Sequence, residues 1–275
     1  MSADAAYAHC KEIARASGSS FYAGMRLLAP DRRAALFAVY ALARRIDDVA
    51  DGDLTDDDKL AALAQLRSEL AHIEDSEEPV LVAVADAAHR FPIPLDAFAD
   101  LVDGAELDVR GTEYETFVEL ERYCRCVAGS IGRLALGVFD CSDRERGAPL
   151  ADDLGVALQI GNILRDLGED LAGRRVYLPH EDLERFGVSR ELQGPVELVV
   201  AFEAQRGLEW LDRGLELVPL LDRRSTAAVH AMAGKYRVLL ERIADEPSLV
   251  LNGRVSLRRW EKGLVLARSL AGVGA

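Results

Sequence analysis

Asn162, Asp166 and Asp170 are spaced four residues apart in the stretch Gln159-Ile160-Gly161-Asn162-Ile163-Leu164-Arg165-Asp166-Leu167-Gly168-Glu169-Asp170. Its apolar spacing predicts a helix, on which each step of four advances about 400° and about 6 Å, so the three side chains form one row. Ile163, Leu164 and Leu167 fall beside that row and turn it toward a cavity wall. Two carboxylates and an amide held there repel one another and are costly to desolvate unless a cation sits among them. All the donors are oxygens, with no His or Cys in the row, so the expected ions are the hard cations Mg²⁺ or Mn²⁺.

A second row precedes it in Arg44-Arg45-Ile46-Asp47-Asp48-Val49-Ala50-Asp51. Asp47 and Asp51 share a helical face, Asp48 is turned about 100° from them, and Tyr40 and Arg44 come before them on the same side. A solvated helix end explains one such motif by itself, although the helix dipole disfavours acids at a C-terminus. Two rows facing each other are different. They would gather oxygens around two or three divalent ions, far more negative charge than a fold collects for stability, and a diphosphate bridging the metals fits such a cage. The candidate metal ligands are therefore Asp47, Asp48, Asp51, Asn162, Asp166 and Asp170.

The elements that must position these rows are helices. Ala and Leu abound, and apolar residues recur at three and four in nearly every segment, which predicts an all-α chain. Helices are expected over 4–16, 32–51, 56–73, 79–90, 94–107, 114–139, 150–171, 195–216, 219–244 and 256–270. Ser17-Gly18-Ser19-Ser20, Ala29-Pro30-Asp31, Gly52, Gly111-Thr112 and Gly173 punctuate them, and Cys141–Pro149 reads as a charged loop. Thr55 followed by three aspartates reads as an N-cap and acidic first turn. No composition break divides the 275 residues, so one domain over 1–275 is expected.

Lys plus Arg is 33 against 47 Asp plus Glu, a net charge of −14, which argues against a nucleic-acid surface. Cys10, Cys124, Cys126 and Cys141 form no CxxC pair and no signal peptide is evident, so reduced thiols in a cytoplasmic protein are expected. The five histidines are scattered, without an HExxH. No apolar run approaches the ~18 residues of a membrane span. Any contact with lipid is expected to be peripheral, at the inner face of the membrane.

Arg44-x-x-Asp47-Asp48-x-x-Asp51, together with Asn162-Ile163-Leu164-Arg165-Asp166-x-x-Glu169-Asp170 and Arg175-Val176-Tyr177-Leu178-Pro179, resembles the squalene and phytoene synthase family. The resemblance runs from about Ser17 to about Arg259. It implies the all-α isoprenoid synthase bundle around a central cavity, and the joining of two prenyl diphosphates head to head. Ser19-Ser20-Phe21-Tyr22 resembles the segment that admits substrate, and the run from Tyr123 to Gly132 resembles the family's pocket helix. The same resemblance implies substrate contacts at Gln159, Asn162, Arg165, Arg175, Tyr177, Tyr236 and Arg254. Metals held by the two rows would draw charge onto the leaving diphosphate, with Arg44, Arg165 and Arg175 neutralising phosphate oxygens beyond their reach. Tyr40, Tyr123 and Tyr236 are candidates for guiding the proton lost when a cyclopropane closes. Val127, Ala128, Gly129, Ile131, Gly132 and Ala135 would give the smooth apolar wall that keeps water from a carbocation, and close helix packing explains the same small residues.

Within the family, the segment from Gly18 to Leu28 looks more like bacterial presqualene diphosphate synthases, which use two farnesyl diphosphates. No glycine-rich dinucleotide fingerprint appears. The expected product is therefore presqualene diphosphate, handed to other enzymes of hopanoid or squalene synthesis. A phytoene synthase taking two geranylgeranyl diphosphates is the first rival. A non-catalytic bundle serving as an assembly module is the second, and eroded aspartates would have marked it.

Overall fold

The computed structural model describes residues 2–17, 21–173 and 175–271; Ser19 and Ser20 lie outside them. The helices are α1 Ala3–Ala16, α2 Phe21–Met25, α3 Pro30–Asp51, α4 Asp56–Ala71, α5 Pro79–Arg90, α6 Ala97–Val109 and α7 Phe117–Cys124. They continue as α8 Ser130–Val138, α9 Arg144–Ala172, α10 His180–Arg185, α11 Val196–Leu215, α12 Arg223–Asp245 and α13 Arg259–Ala271. Among the described residues there is no strand, only an isolated bridge between Cys141 and Leu221. The expected all-α bundle is the fold observed. No helix among these residues is long and apolar enough to cross a membrane.

Local chemistry fixes the two helices that carry the acidic rows. Pro30 opens α3 at its first position, where the absent N–H is not missed, and the helix stops at Gly52. In α9 the Asp143 side chain accepts from the Arg146 N–H at 3.0 Å as N-cap, and Gly173 closes the other end. The expected loop over Cys141–Pro149 is therefore wrong beyond Asp143. Pro149 sits inside α9, where it forgoes one hydrogen bond, a cost met by the packing of a helix that crosses the whole bundle. The helix expected from 94 begins at Ala97 and extends to Val109.

The continuous helix expected over 114–139 is also corrected. α7 starts at Phe117 behind a capping box of Thr116 and Glu119, and a π-helical turn, Arg125–Gly129, separates it from α8. That extra residue per turn lies where the wall of small residues meets α9. The contact is backbone-close: a Cβ on Gly155 would stand 2.5 Å from the Ala128 carbonyl and the Gly129 nitrogen. The largest buried side chains include Phe98, Leu42, Ile46, Ile160, Leu164 and Leu167, so the apolar faces of α3, α6 and α9 meet in one core.

Candidate active site

A cavity of about 730 Å³ opens between α2, α3, α6, α8, α9 and α12. Of the expected wall, Val127, Ala128, Ile131, Gly132 and Ala135 line it, joined by Leu36, Val39 and Phe139; Gly129, expected there too, does not. Its polar end brings together Tyr40, Arg44, Asp47 and Asp51 from α3 with Gln159, Asn162 and Arg165 from α9 and Tyr236 from α12. Phe21, Tyr123 and Arg254 line it as well. Residues separated by more than a hundred positions in the chain thus share one space, as facing rows require.

Asp47 opens onto the cavity, yet protein surrounds it on most sides. That burial, with Asp51 and Asp108 adding repulsion against the relief given by Arg44, pushes its carboxyl up to about 7. Asp48 does not join the row. More than half exposed, it pairs with Arg44 at 2.6 Å along the helix surface, and the cavity does not include it. The 100° step between neighbouring helical residues is the cause, and Asp48 is set aside as a ligand.

The α9 row carries its own restraints. The Tyr236 hydroxyl donates to Asn162 Oδ1 at 2.8 Å, and Asn162 Nδ2 donates to Gln159 Oε1 at 3.1 Å. Gly161 is what lets Tyr236 approach, since a Cβ there would meet its ring at 2.7 Å. Arg165 Nε donates to Asp166 Oδ1 at 2.8 Å, and Arg254 Nε reaches the same carboxylate at 3.1 Å. Both arginines line the cavity. Burial, then Asp166 and Asp108 working against Arg175, raise the Asp170 carboxyl to about 6. Asp166, Asp170, Arg175 and Tyr177 stand beside the cavity without forming its wall.

Asp108 on α6 is the acid that reading by motif missed. It accepts hydrogen bonds from the Tyr123 hydroxyl at 2.9 Å and the Tyr177 hydroxyl at 2.8 Å, and Tyr123 stacks on Tyr177 with ring centres 5.5 Å apart. Burial raises its carboxyl while the two hydroxyls hold it down. No doublet of acids advertises it. The available signal is that Leu101, Ala105 and Asp108 fall on one helical face, so a lone carboxylate continues an apolar stripe that lines the cavity. Lys235, another cavity residue, was also missed, hidden beside Tyr236.

The donor set suits a hard divalent cation: oxygens in excess of local positive charge, on carboxyls that burial and mutual repulsion make reluctant to ionise. Among the described residues no three acidic, histidine or cysteine side chains already converge on one point.

The model of the squalene/phytoene synthase family matches residues 14–261. The chain is 45% identical to proteins named phytoene synthase from Mycobacterium tuberculosis and Mycobacterium bovis, over 97% of this chain and 91% of theirs. It is 36% identical to a presqualene diphosphate synthase of Sinorhizobium fredii, over 88% of each. Among solved structures, a dehydrosqualene synthase bound to a ligand superposes with a TM-score of 0.88 at 27% identity, covering 98% of this chain and 97% of that one. A squalene synthase of Alicyclobacillus acidocaldarius gives 0.82 at 28%, covering 89% and 95%. A match of this length makes the chain a member of the squalene/phytoene synthase family, which joins prenyl diphosphates head to head.

Proposed function

We propose that the protein condenses two farnesyl diphosphates to presqualene diphosphate, releasing pyrophosphate, with Mg²⁺ or Mn²⁺ held between Asp47 and Asp51 on one side and Asn162, Asp166 and Asp170 on the other. The choice of chain length rests on the segment from Gly18 to Leu28, which resembles that of bacterial presqualene diphosphate synthases, and on the 36% identity to the presqualene diphosphate synthase of Sinorhizobium fredii. The cavity of about 730 Å³ offers prenyl tails an apolar space. The 45% likeness to phytoene synthases favours a second reading, condensation of two geranylgeranyl diphosphates. The non-catalytic alternative would be marked by eroded aspartates, and both acidic rows are intact in the sequence.

Bound divalent cations supply the positive charge that stabilises pyrophosphate as a leaving group. Arg44, Arg165 and Arg254 bind phosphate oxygens, Arg165 and Arg254 giving up Asp166 as they do. The donor's C1–O bond breaks with its electron pair leaving on pyrophosphate, and the acceptor's double bond attacks the allylic cation. Loss of one proton to pyrophosphate closes the cyclopropane, while the acceptor keeps its own diphosphate. The Tyr123 hydroxyl, which donates to Asp108, and Tyr40 stand on the cavity wall to guide that proton. Ala128, Ile131, Gly132 and Ala135 exclude water, so the cation meets a carbon nucleophile first.

The product mass decides. With farnesyl diphosphate and Mg²⁺ the expected lipid is presqualene diphosphate, with or without NADPH, and EDTA should abolish it. A C40 product from geranylgeranyl diphosphate, with farnesyl diphosphate left unused, selects the second reading. Full turnover in chelator removes the metals from the scheme, and squalene formed with NADPH would show that the reaction runs one step further.

A further inference from the structure

The chain passes from the cavity rim to the surface within a few residues. Arg254, Val255, Ser256 and Leu257 line the cavity, and α13 begins at Arg259. The inner face of α13 packs on α12 and buries Val265 and Ser269. Its outer face presents Trp260, 63% exposed, and one turn later Leu264, 45% exposed, followed by exposed Ala267. A methyl group added at Gly263 would meet nothing. An indole and a leucine in one row on an open face are an apolar strip that the rest of the bundle leaves uncovered.

Charge says what covers it. Residues 258–268 hold Arg258, Arg259, Lys262 and Arg268 against one acid, Glu261, in a chain whose net charge is −14. Glu261 is turned inward, accepting from Arg242 and from the Arg258 backbone N–H. An apolar row with Trp near its N-terminal end, flanked by cations, has the make-up of a helix that lies in a bilayer interface. Anionic headgroups repel most of this protein and attract this end, so the same charges that bind also orient.

We propose that α13 docks on an anionic phospholipid surface, with Trp260 and Leu264 in the headgroup layer and Arg258 and Arg268 on lipid phosphates. Docking there brings the cavity rim, which ends at Leu257 two residues before α13, to the membrane into which a water-insoluble prenyl product would leave. That purpose rests on the proposed reaction; the surface itself does not, and its binding is read without turnover.

The test uses the full chain. Of the two tryptophans, Trp210 is buried, so Trp210→Phe leaves Trp260 as the reporter. Vesicles of phosphatidylcholine with one quarter phosphatidylglycerol should shift its emission to the blue and carry the protein on flotation. Neutral phosphatidylcholine vesicles, or the Arg258→Glu/Arg268→Glu variant, should bind at least about tenfold more weakly. Trp260→Ser/Leu264→Ser, in the parent background, should lose flotation while keeping the parent's circular dichroism and melting temperature. If the serine pair melts early, the charge-reversed pair decides. Absence of a blue shift, or flotation equal in parent and variants, overturns the proposal. So does self-association abolished by the serine pair without any vesicle binding, which would give the face to a second copy of the chain.

Discussion

Asp108 ties the two acidic rows to the tyrosines behind them. Its charge raises both Asp47 and Asp170, and its oxygens fix the hydroxyls of Tyr123 and Tyr177. Asp108→Asn should keep the fold and at least one of those hydrogen bonds, yet remove a charge that helps attract cations. We expect kcat/KM to fall by about 10²-fold, the scale of one lost electrostatic contact in a dry site, with a raised Mg²⁺ requirement. An unchanged Mg²⁺ dependence would reduce Asp108 to packing. Asp47 at about 7 and Asp170 at about 6 set a pH dependence of definite sign. A cation needs the ionised carboxylates and must displace their protons, so apparent Mg²⁺ affinity should strengthen as pH rises from 6 to 8 and level off beyond. Calorimetry in buffers of different ionisation enthalpy should detect proton release at pH 6.5 and little at pH 8.5. Equal release at both would place the folded carboxyls near their ordinary values.

At the scale of elements, the site depends on how closely α9 approaches the π-helical turn. A Cβ on Gly155 would meet main-chain atoms of Ala128 and Gly129, which cannot rotate away. Gly155→Ala should therefore cost about 1–3 kcal/mol and move the cavity wall, lowering Tm by several degrees at roughly 2–4 °C per kcal/mol. Gly263→Ala, whose added methyl meets only open space, is the control and should gain up to about 1 kcal/mol from helix propensity. Equal melting shifts for the two would contradict the packing described. These helices were legible in the sequence because acids at a spacing of four and apolar residues at three and four record a helical face directly, as on α3 and α9. The π turn was not, since its neighbours carry the same period and only the backbone of α9 reveals the extra residue. The start of α9 was hidden by Pro149, a strong local stop signal that tertiary packing overrides. Asp108 escaped because a single carboxylate has no periodic partner, and its meaning comes from tyrosines 15 and 69 residues away.

The whole molecule has a second buried carboxylate cluster, away from the acidic rows, where α10 meets α11. Glu203 is 1% exposed and accepts from Arg206 at 2.6 Å, while Arg206 also donates to Asp182 at 2.7 Å and stacks 3.9 Å over Phe117. Burial pushes the Glu203 carboxyl up to about 8 from an ordinary 4.5, with Asp182 adding to the rise and Arg206 opposing it. Between pH 4.5 and 8 the folded chain keeps a proton that the unfolded chain releases, so this group makes stability fall as pH rises and has no further effect above 8. The net charge of −14 adds self-repulsion of the same sign as further groups ionise. Glu203→Gln separates the two. The amide carbonyl still accepts from Arg206 and its N–H can donate to Asp182, while the titration is gone. Measured at 0.15 M salt, where the Debye length is ~8 Å and distant charges are screened, the parent should lose roughly 1–3 kcal/mol more than the variant between pH 6 and 8.5. Parallel melting curves across that range would mean that Glu203 is already ionised at pH 6, its charge fully met by Arg206, and that the pH dependence belongs to the surface alone.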